Sequence, residues 1–310
     1  KINYFLIYLI LINSIFINMK ILDGKKTANQ VYESLIPKIE YLKKEHNIIP
    51  NLSVIIVGDK PESLSYVRMK SKKCQELGID SQICHMDTNN TTKDIIKQII
   101  KLNNNPNIHS ILVQLPLPSH LDTSRIISSI SPDKDVDGFH SLNMGLLALN
   151  QNPNLVPCTP KGCIYLLKKY SIELKGKNIV IIGKSNIVGL PLSLMLMHEN
   201  ATVTVCHIDT VDIKSFTRKA DILIVGCGVP EMIKEDWIKE GVDIIDIGIN
   251  FINDIEGKNG RKLVGDVDLE SVKDKVNYIT PVPGGVGPMT IAMLIQQTID
   301  TVFLSLGKGK

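Results

Sequence analysis

Tyr66 and Lys70 stand four residues apart in SYVRMK (Ser65–Lys70), within apolar spacing that predicts a helix, so they share one helix face. One reading of such a pair is a surface lysine with its stem laid over a tyrosine. The other is chemical: Tyr66 stacks on a flat substrate while Lys70 moves protons. An unperturbed lysine titrates near ~10.4, so the chemical role needs burial or nearby cations to bring the ammonium down. Gln114, between Val113 and Leu115 in VQLPLP, falls at the C-terminal end of a predicted strand, where ligands of parallel sheets gather. Asp133, Asp135 and Asp137 alternate in PDKDVDGFH, a spacing that raises a metal loop. The rest of a calcium-loop pattern is missing, and one carboxylate, Asp137 before Gly138, reading amidine-like donors on a heterocycle fits better. No metal is expected.

A second group of residues points to a nucleotide. Gly183-Lys-Ser-Asn-Ile-Val-Gly189 lies between a predicted strand and a predicted helix, where a dinucleotide fold sets its pyrophosphate on helix N-terminal amides. It departs from G-x-G-x-x-G: Ser185 replaces the middle glycine and the last glycine comes one position late. A tight βα turn is the alternative. An NAD site usually carries an acid at the end of the next strand. Here that place holds Cys206 and His207, with Asp209 two residues on, and Lys184 lies in the turn. This favours a 2′-phosphate and therefore NADP, with Asp209 as the counter-indication.

The elements that must position these groups alternate. Helical spacing covers Lys25–Asn47, Glu62–Leu77 and Lys93–Leu102; apolar, β-branched runs predict strands at Leu52–Val57, Ser81–Met86 and Ile108–Leu115. A short helix, Ser124–Ile130, precedes the loop Ser131–His140. Pro157–Gly162 marks a boundary, followed by a helix to about Lys169. Strands at Asn178–Ile182, Thr202–Cys206, Ile222–Val225 and Val242–Ile247 follow, with a helix at Leu190–His198 and another at Ile291–Leu306. Strands alternating with helices indicate parallel β-α-β units. The expected fold is α/β: two α/β domains with a cleft between them, the second a Rossmann-like dinucleotide-binding domain. The first spans 19–158, with the helix of 291–310 packing back on it; the second spans 159–290.

Thr280–Thr290, TPVPGGVGPMT, punctuates the end of the second domain. Its prolines and glycines make either a rigid bend between domains or a wall of a binding site that lets a ligand approach bare backbone.

The chain has 310 residues and a net charge of +3, with no basic stripe carrying interleaved aromatics, so nucleic acid is not an expected partner. Six cysteines are scattered without a C-x-x-C pair, which suits reduced, mostly buried thiols. Tyr4–Ile17 is almost wholly apolar and flanked by lysines. It reads as a targeting leader, as upstream sequence outside the true protein, or as an anchor. Membrane contact is expected only if residues 1–18 are retained, a cytoplasmic location if the protein starts at Met19, and organelle or secretory targeting if the leader is real.

Together these stretches resemble the bifunctional methylenetetrahydrofolate dehydrogenase/methenyltetrahydrofolate cyclohydrolase family, from about Ile21 to Thr301. The resemblance rests on SYVRMK, VQLPLP, PDKDVDGFH, PCTPKG, GKSNIVGLP, DIGIN, GDVD and TPVPGGVGPMT, in that order. It implies oxidation of 5,10-methylenetetrahydrofolate to the methenyl form with NADP⁺, then hydrolysis to 10-formyltetrahydrofolate. It also implies Lys70 as the main catalytic group, with Gln114 holding it, Tyr66 stacked on the folate, and Asp137 orienting the pterin. Val113, Leu115 and Pro283, Gly284, Gly285, Val286 and Gly287 would line the folate site. Gly183, Lys184, Ser185, His207, Ile208 and Ile249 would hold the cofactor. Lys184 stands where the family often has Arg, and Ile208 where it often has Ser or Arg on the 2′-phosphate, so NAD stays open as an alternative. A homodimer is implied as well. A dehydrogenase without the hydrolytic step, or an NAD(P)-dependent oxidoreductase of another substrate, are the competing readings.

Overall fold

A computed structural model describes residues 19–254 and 260–307. The apolar stretch Tyr4–Ile17, on which the leader readings rest, lies outside the described residues. In chain order the elements begin with β1 (Lys20–Ile21), α1 (Gly24–His46), β2 (Asn51–Val57) and α2 (Pro61–Glu76). They continue through β3 (Asp80–Met86), α3 (Thr92–Asn103), β4 (Ser110–Val113), α4 (Thr123–Ile127), α5 (Ser141–Ala148) and α6 (Cys158–Lys169). Then come β5 (Asn178–Ile182), α7 (Gly189–His198), β6 (Thr202–Cys206), α8 (Ile213–Thr217), β7 (Ile222–Val225) and β8 (Val242–Asp246). The chain closes with β9 (Asn250–Asn253), β10 (Arg261–Val264), α9 (Leu269–Val272), β11 (Val276–Ile279) and α10 (Val286–Gly307).

Two compact units result, one of residues 28–162 with 290–307, the other of 19–27 with 163–289. The first holds a parallel sheet in the order β3-β2-β4. β2 is the centre because Leu52–Val57 is apolar almost throughout and buried, as a strand covered on both faces requires. Val67, Lys70, Ser71 and Cys74 form the buried face of α2, and Pro61 opens the helix in its first turn. Ile95, Ile99 and Leu102 do the same for α3, which Thr91 and Asp94 start with a capping box.

α10 is long and apolar enough to cross a membrane by length and composition. Its apolarity has another use: Met293, Leu294, Ile299 and Val302 are buried, and Thr301 hydrogen-bonds Ser110 of β4 at 2.9 Å. The helix starts at Val286, earlier than its sequence suggests. Pro288 is accommodated because the first amides of a helix have no partner within it.

The second unit carries a parallel six-stranded sheet in the order β1-β11-β8-β7-β5-β6. From β5 the chain moves out to β6, then returns to β7 on the other side, so the switch point lies between β5 and β7. The compact units differ from the expected division in two main places: β1 pairs with β11, which draws residues 19–27 into the second unit, and residues 159–162 stay with the first. β9 and β10 form an antiparallel pair apart from the main sheet.

Candidate active site

In the first unit, Lys70 lies on the inner face of α2 and is 5% exposed. Its Nζ donates to Gln114 Oε1 at 3.1 Å and sits 5.1 Å from the centre of the Tyr66 ring. Gln114 cannot turn freely, because its Nε2 donates to Leu115 O at 2.7 Å while its backbone N–H reaches Ile55 O at 2.8 Å. The amide therefore presents oxygen to the lysine. Val113, at the end of β4, is buried in the core behind it.

Asp137 faces the same space. Burial pushes its carboxyl up, while the Lys70 charge and then the neighbouring Cys158 thiol pull it back down. Burial pushes the Lys70 ammonium down, and Asp137 opposes that. The direction for Lys70 is downward, since loss of water around the ammonium outweighs one partly compensated carboxylate. Tyr66 is pushed up to about 12, first by burial, and hydrogen-bonds Thr290.

The alternating aspartates thus divide their work. Asp135, 1% exposed, accepts from His140 N at 2.8 Å and Asn143 Nδ2 at 2.9 Å, and so braces the loop. Asp137 points to Lys70's surroundings instead. Gly138, the next residue, has φ +70°, and a Cβ there would lie 2.4 Å from the carbonyl carbon of Val156. Only glycine lets the two loops meet backbone to backbone.

In the second unit, Gly183 follows β5 with φ +120°, and its Cβ would lie 2.4 Å from Gly226 O after β7. Gly189, the late glycine of the motif, would put a Cβ 1.9 Å from Gly183 O. The turn closes on itself through these glycines, at the switch point. Ser185 Oγ accepts from Val188 N at 3.2 Å and Gly189 N at 3.4 Å, so the residue replacing the middle glycine holds two amides at the entry to α7. Asp209 stands 3.9 Å from Lys184 Nζ and 3.3 Å from His207 Nδ1, while Ile208 is 93% exposed. Ile249 is 53% exposed beyond β8.

Two carboxylates build the rim around Ile249. Asp246 accepts from Gly248 N at 2.9 Å, Asp266 N at 3.0 Å and Val267 N at 2.9 Å. Asp266 accepts from Cys227 N at 2.7 Å, Gly228 N at 3.0 Å and Asn250 Nδ2 at 2.7 Å. Gly265 and Gly248 are required here, since their Cβ atoms would fall 1.8 Å from Asp246 Oδ2 and 2.4 Å from Asp266 Oδ1. Burial raises Asp246 to about 6. Pro283, Gly284 and Gly285 belong to this unit: Gly284 O accepts from Lys25 N at 2.9 Å, and a Gly24 Cβ would lie 1.8 Å from Gly285 O. Val286 and Gly287 open α10.

The structure therefore brings together Tyr66, Lys70, Gln114 and Asp137 in one unit, and Gly183, Lys184, Ser185, His207 and Ile208 in the other. Sequence reasoning missed Cys158, whose thiol donates to Val136 O at 3.4 Å, although PCTPKG was a visible motif. It also missed Gln297 and the Asp246–Asp266 pair.

A glycine-closed βα turn at the switch point, a cation in that turn and an imidazole after the next strand are the parts of an NAD(P)-binding α/β protein, and they suit a phosphorylated dinucleotide. Residues 22–137 match the tetrahydrofolate dehydrogenase/cyclohydrolase catalytic domain, and 157–305 match the NAD(P)-binding domain of the same family. The chain is 51% identical over 281 residues to the bifunctional protein FolD of a Nitratiruptor species, covering 91% of this chain and 97% of that protein. Among solved structures, the bifunctional enzyme FolD of Campylobacter jejuni is 47% identical with a TM-score of 0.88, covering 93% of this chain and 99% of that one. The Trypanosoma brucei enzyme, complexed with NADP cofactor and inhibitor, is 36% identical with a TM-score of 0.89, covering 93% and 98%. The chain belongs to the tetrahydrofolate dehydrogenase/cyclohydrolase family.

Proposed function

We propose that this protein oxidises 5,10-methylenetetrahydrofolate to the methenyl form with NADP⁺ and then hydrolyses it to 10-formyltetrahydrofolate, with Lys70 as the proton-handling group. The single observation that carries the site assignment is Lys70: a buried ammonium held by Gln114 Oε1 at 3.1 Å, over Tyr66, beside Asp137. Both family domains are present in one chain, which supports two activities.

Tyr66 offers a flat face for the folate rings, and Asp137 accepts hydrogen bonds from the pterin amide and amino group, fixing the ring's orientation. NADP⁺, when bound, supplies the acceptor for the hydride leaving the methylene carbon. Gly183 to Ser185, with Lys184 and His207, would hold its phosphates, and Ile249 would lie along its nicotinamide half. In the hydrolytic step, water adds to the methenyl carbon and loses a proton to Lys70, whose pKa burial has lowered. The carbinol hydroxyl then gives up its proton as the bond to N5 breaks and N5 takes one up, leaving the formyl group on N10. Pro283 to Gly287 would supply bare backbone along the folate. A homodimer is part of the reading and is tested by sedimentation.

Purified protein given methylenetetrahydrofolate and NADP⁺ is expected to gain methenyl absorbance, and methenyltetrahydrofolate alone to decay faster than in buffer. No turnover with NADP⁺ or NAD⁺ would sink the dehydrogenase assignment. Parallel runs with the two cofactors give the preference that Ile208 and Asp209 leave to measurement.

A further inference from the structure

Gln297 lies on α10, more than a hundred residues from the loops it touches, and is fully buried at 0% exposure. Every hydrogen-bonding capacity of its amide is used. Nε2 donates to Val136 O at 2.6 Å and to Val156 O at 3.0 Å; Oε1 accepts from Val156 N at 3.2 Å and from Lys161 Nζ at 3.2 Å. Cys158 Sγ, 3.4 Å from Nε2, closes the cluster and itself donates to Val136 O. Val136 is the residue before Asp137. Gly138, the residue after, is the one whose backbone presses on Val156.

One side-chain amide thus ties the loop of Asp137 to the loop of Cys158, on both sides of their backbone contact. We propose that Gln297 is a positioning residue: through Val136 and Val156 it sets where the Asp137 carboxylate stands relative to Lys70 and the folate. This rests on the functional reading above. The charged and titratable groups facing Lys70 are Tyr66, Asp137 and Cys158; those touching Gln297 are Cys158 and Lys161, and Lys161 in turn feels Asp300, 4.0 Å away, and Lys38.

The role separates from mere structural support. A residue needed only for folding changes the amount of active protein, so kcat falls with KM unchanged. A residue that places Asp137 changes folate affinity and the titration of Lys70, because the Asp137 charge holds the Lys70 pKa up. Gln297→Glu keeps the volume and the Lys161 contact but, when ionised, only accepts, leaving both carbonyls without their donor. Gln297→Asn keeps the donors on a shorter arm.

The experiment is steady-state hydrolysis of methenyltetrahydrofolate by wild type, Q297E and Q297N across pH, with NADP⁺ binding by calorimetry as the control in the other unit. The expected result for Q297E is a folate KM raised about tenfold, since two buried donated hydrogen bonds are lost and part of that cost is felt at the folate site. The Lys70 limb of the pH profile should move to lower pH, Q297N should shift less in the same direction, and NADP⁺ affinity should not change. Wild-type KM and pH profile in a folded variant, or a fall in kcat alone, overturns the proposal, as does failure of both variants to fold. A wild type inactive on folates removes the functional reading itself; an active wild type with unresponsive variants removes only the role of Gln297.

Discussion

Lys70→Met replaces a buried ammonium by an uncharged side chain of similar length. In the folded protein Lys70 bears two opposing effects: loss of water around its charge, and a hydrogen bond to Gln114 Oε1 at 3.1 Å with attraction to Asp137. Removing the charge removes both. A net hydrogen bond contributes about 1 kcal/mol, and relief of desolvation offsets it, so global stability should change by no more than ~2 kcal/mol. Catalysis is different. A positioned acid–base group contributes roughly 10²–10⁴-fold, and nothing else among the described side chains at this site takes the proton in its place: Tyr66 titrates too high at about 12, and Asp137 is committed to the substrate on our reading. With methylenetetrahydrofolate and NADP⁺, K70M should therefore accumulate methenyltetrahydrofolate, seen as rising methenyl absorbance that does not decay beyond the spontaneous rate. Wild-type hydrolysis by folded K70M would refute the role of Lys70. Loss of folding in urea titration would refute the statement that its charge is energetically near neutral.

Asp209→Asn removes a carboxylate lying 3.9 Å from Lys184 and 3.3 Å from His207. It should raise kcat/KM for NADP⁺ several-fold relative to NAD⁺, because a 2′-phosphate no longer meets a like charge there; an unchanged ratio removes Asp209 from cofactor choice. Gly138→Ala forces a side chain into φ +70° and against the Val156 backbone at 2.4 Å. A loss of at least ~2 kcal/mol by denaturant unfolding is expected, and a loss under ~0.5 would contradict the packing. Asp246 is raised from 3.8 to about 6 by burial, so the folded protein binds its proton more tightly than the unfolded chain. Its contribution to stability is therefore full below about 3.8 and is lost as pH rises through about 6. Asp246→Asn should flatten the stability profile across that window, at a cost of ~1–3 kcal/mol from an amide NH₂ facing backbone donors. A variant whose unfolding still weakens between those pH values would assign the effect elsewhere.

The alternation of buried strands and amphipathic helices was legible because Leu52–Val57 and Asn178–Ile182 are short, β-branched and closed by glycine. Tyr66 and Lys70 were legible as an i, i+4 pair, and Gln114 as a polar residue at a strand's end. What the sequence did not display depends on distant pairing. β1 is two residues long and takes its identity from β11, more than two hundred residues away. Gln297 reads as one polar position in an apolar helix, and its partners are mostly backbone groups, which carry no sequence signature. Gly189 reads as a misplaced motif glycine until its contact with Gly183 O is seen. The loop Thr280–Thr290 was readable as a Gly/Pro punctuation; that its glycines pack against Gly24 was not.

Asp246 and Asp266 bind six hydrogen-bond donors between them, five of them backbone amides. The loops after β7 and β8 are thus staked by fixed carboxylates rather than by exchangeable side-chain packing. Stiffness of this kind exists without any ligand, so a dinucleotide arriving at that rim would find it already set and lose little loop entropy on binding. Hydrogen exchange would register it directly: the amides of Gly228, Gly248 and Val267 should exchange with strand-like slowness in the ligand-free protein, although none of them lies in a strand.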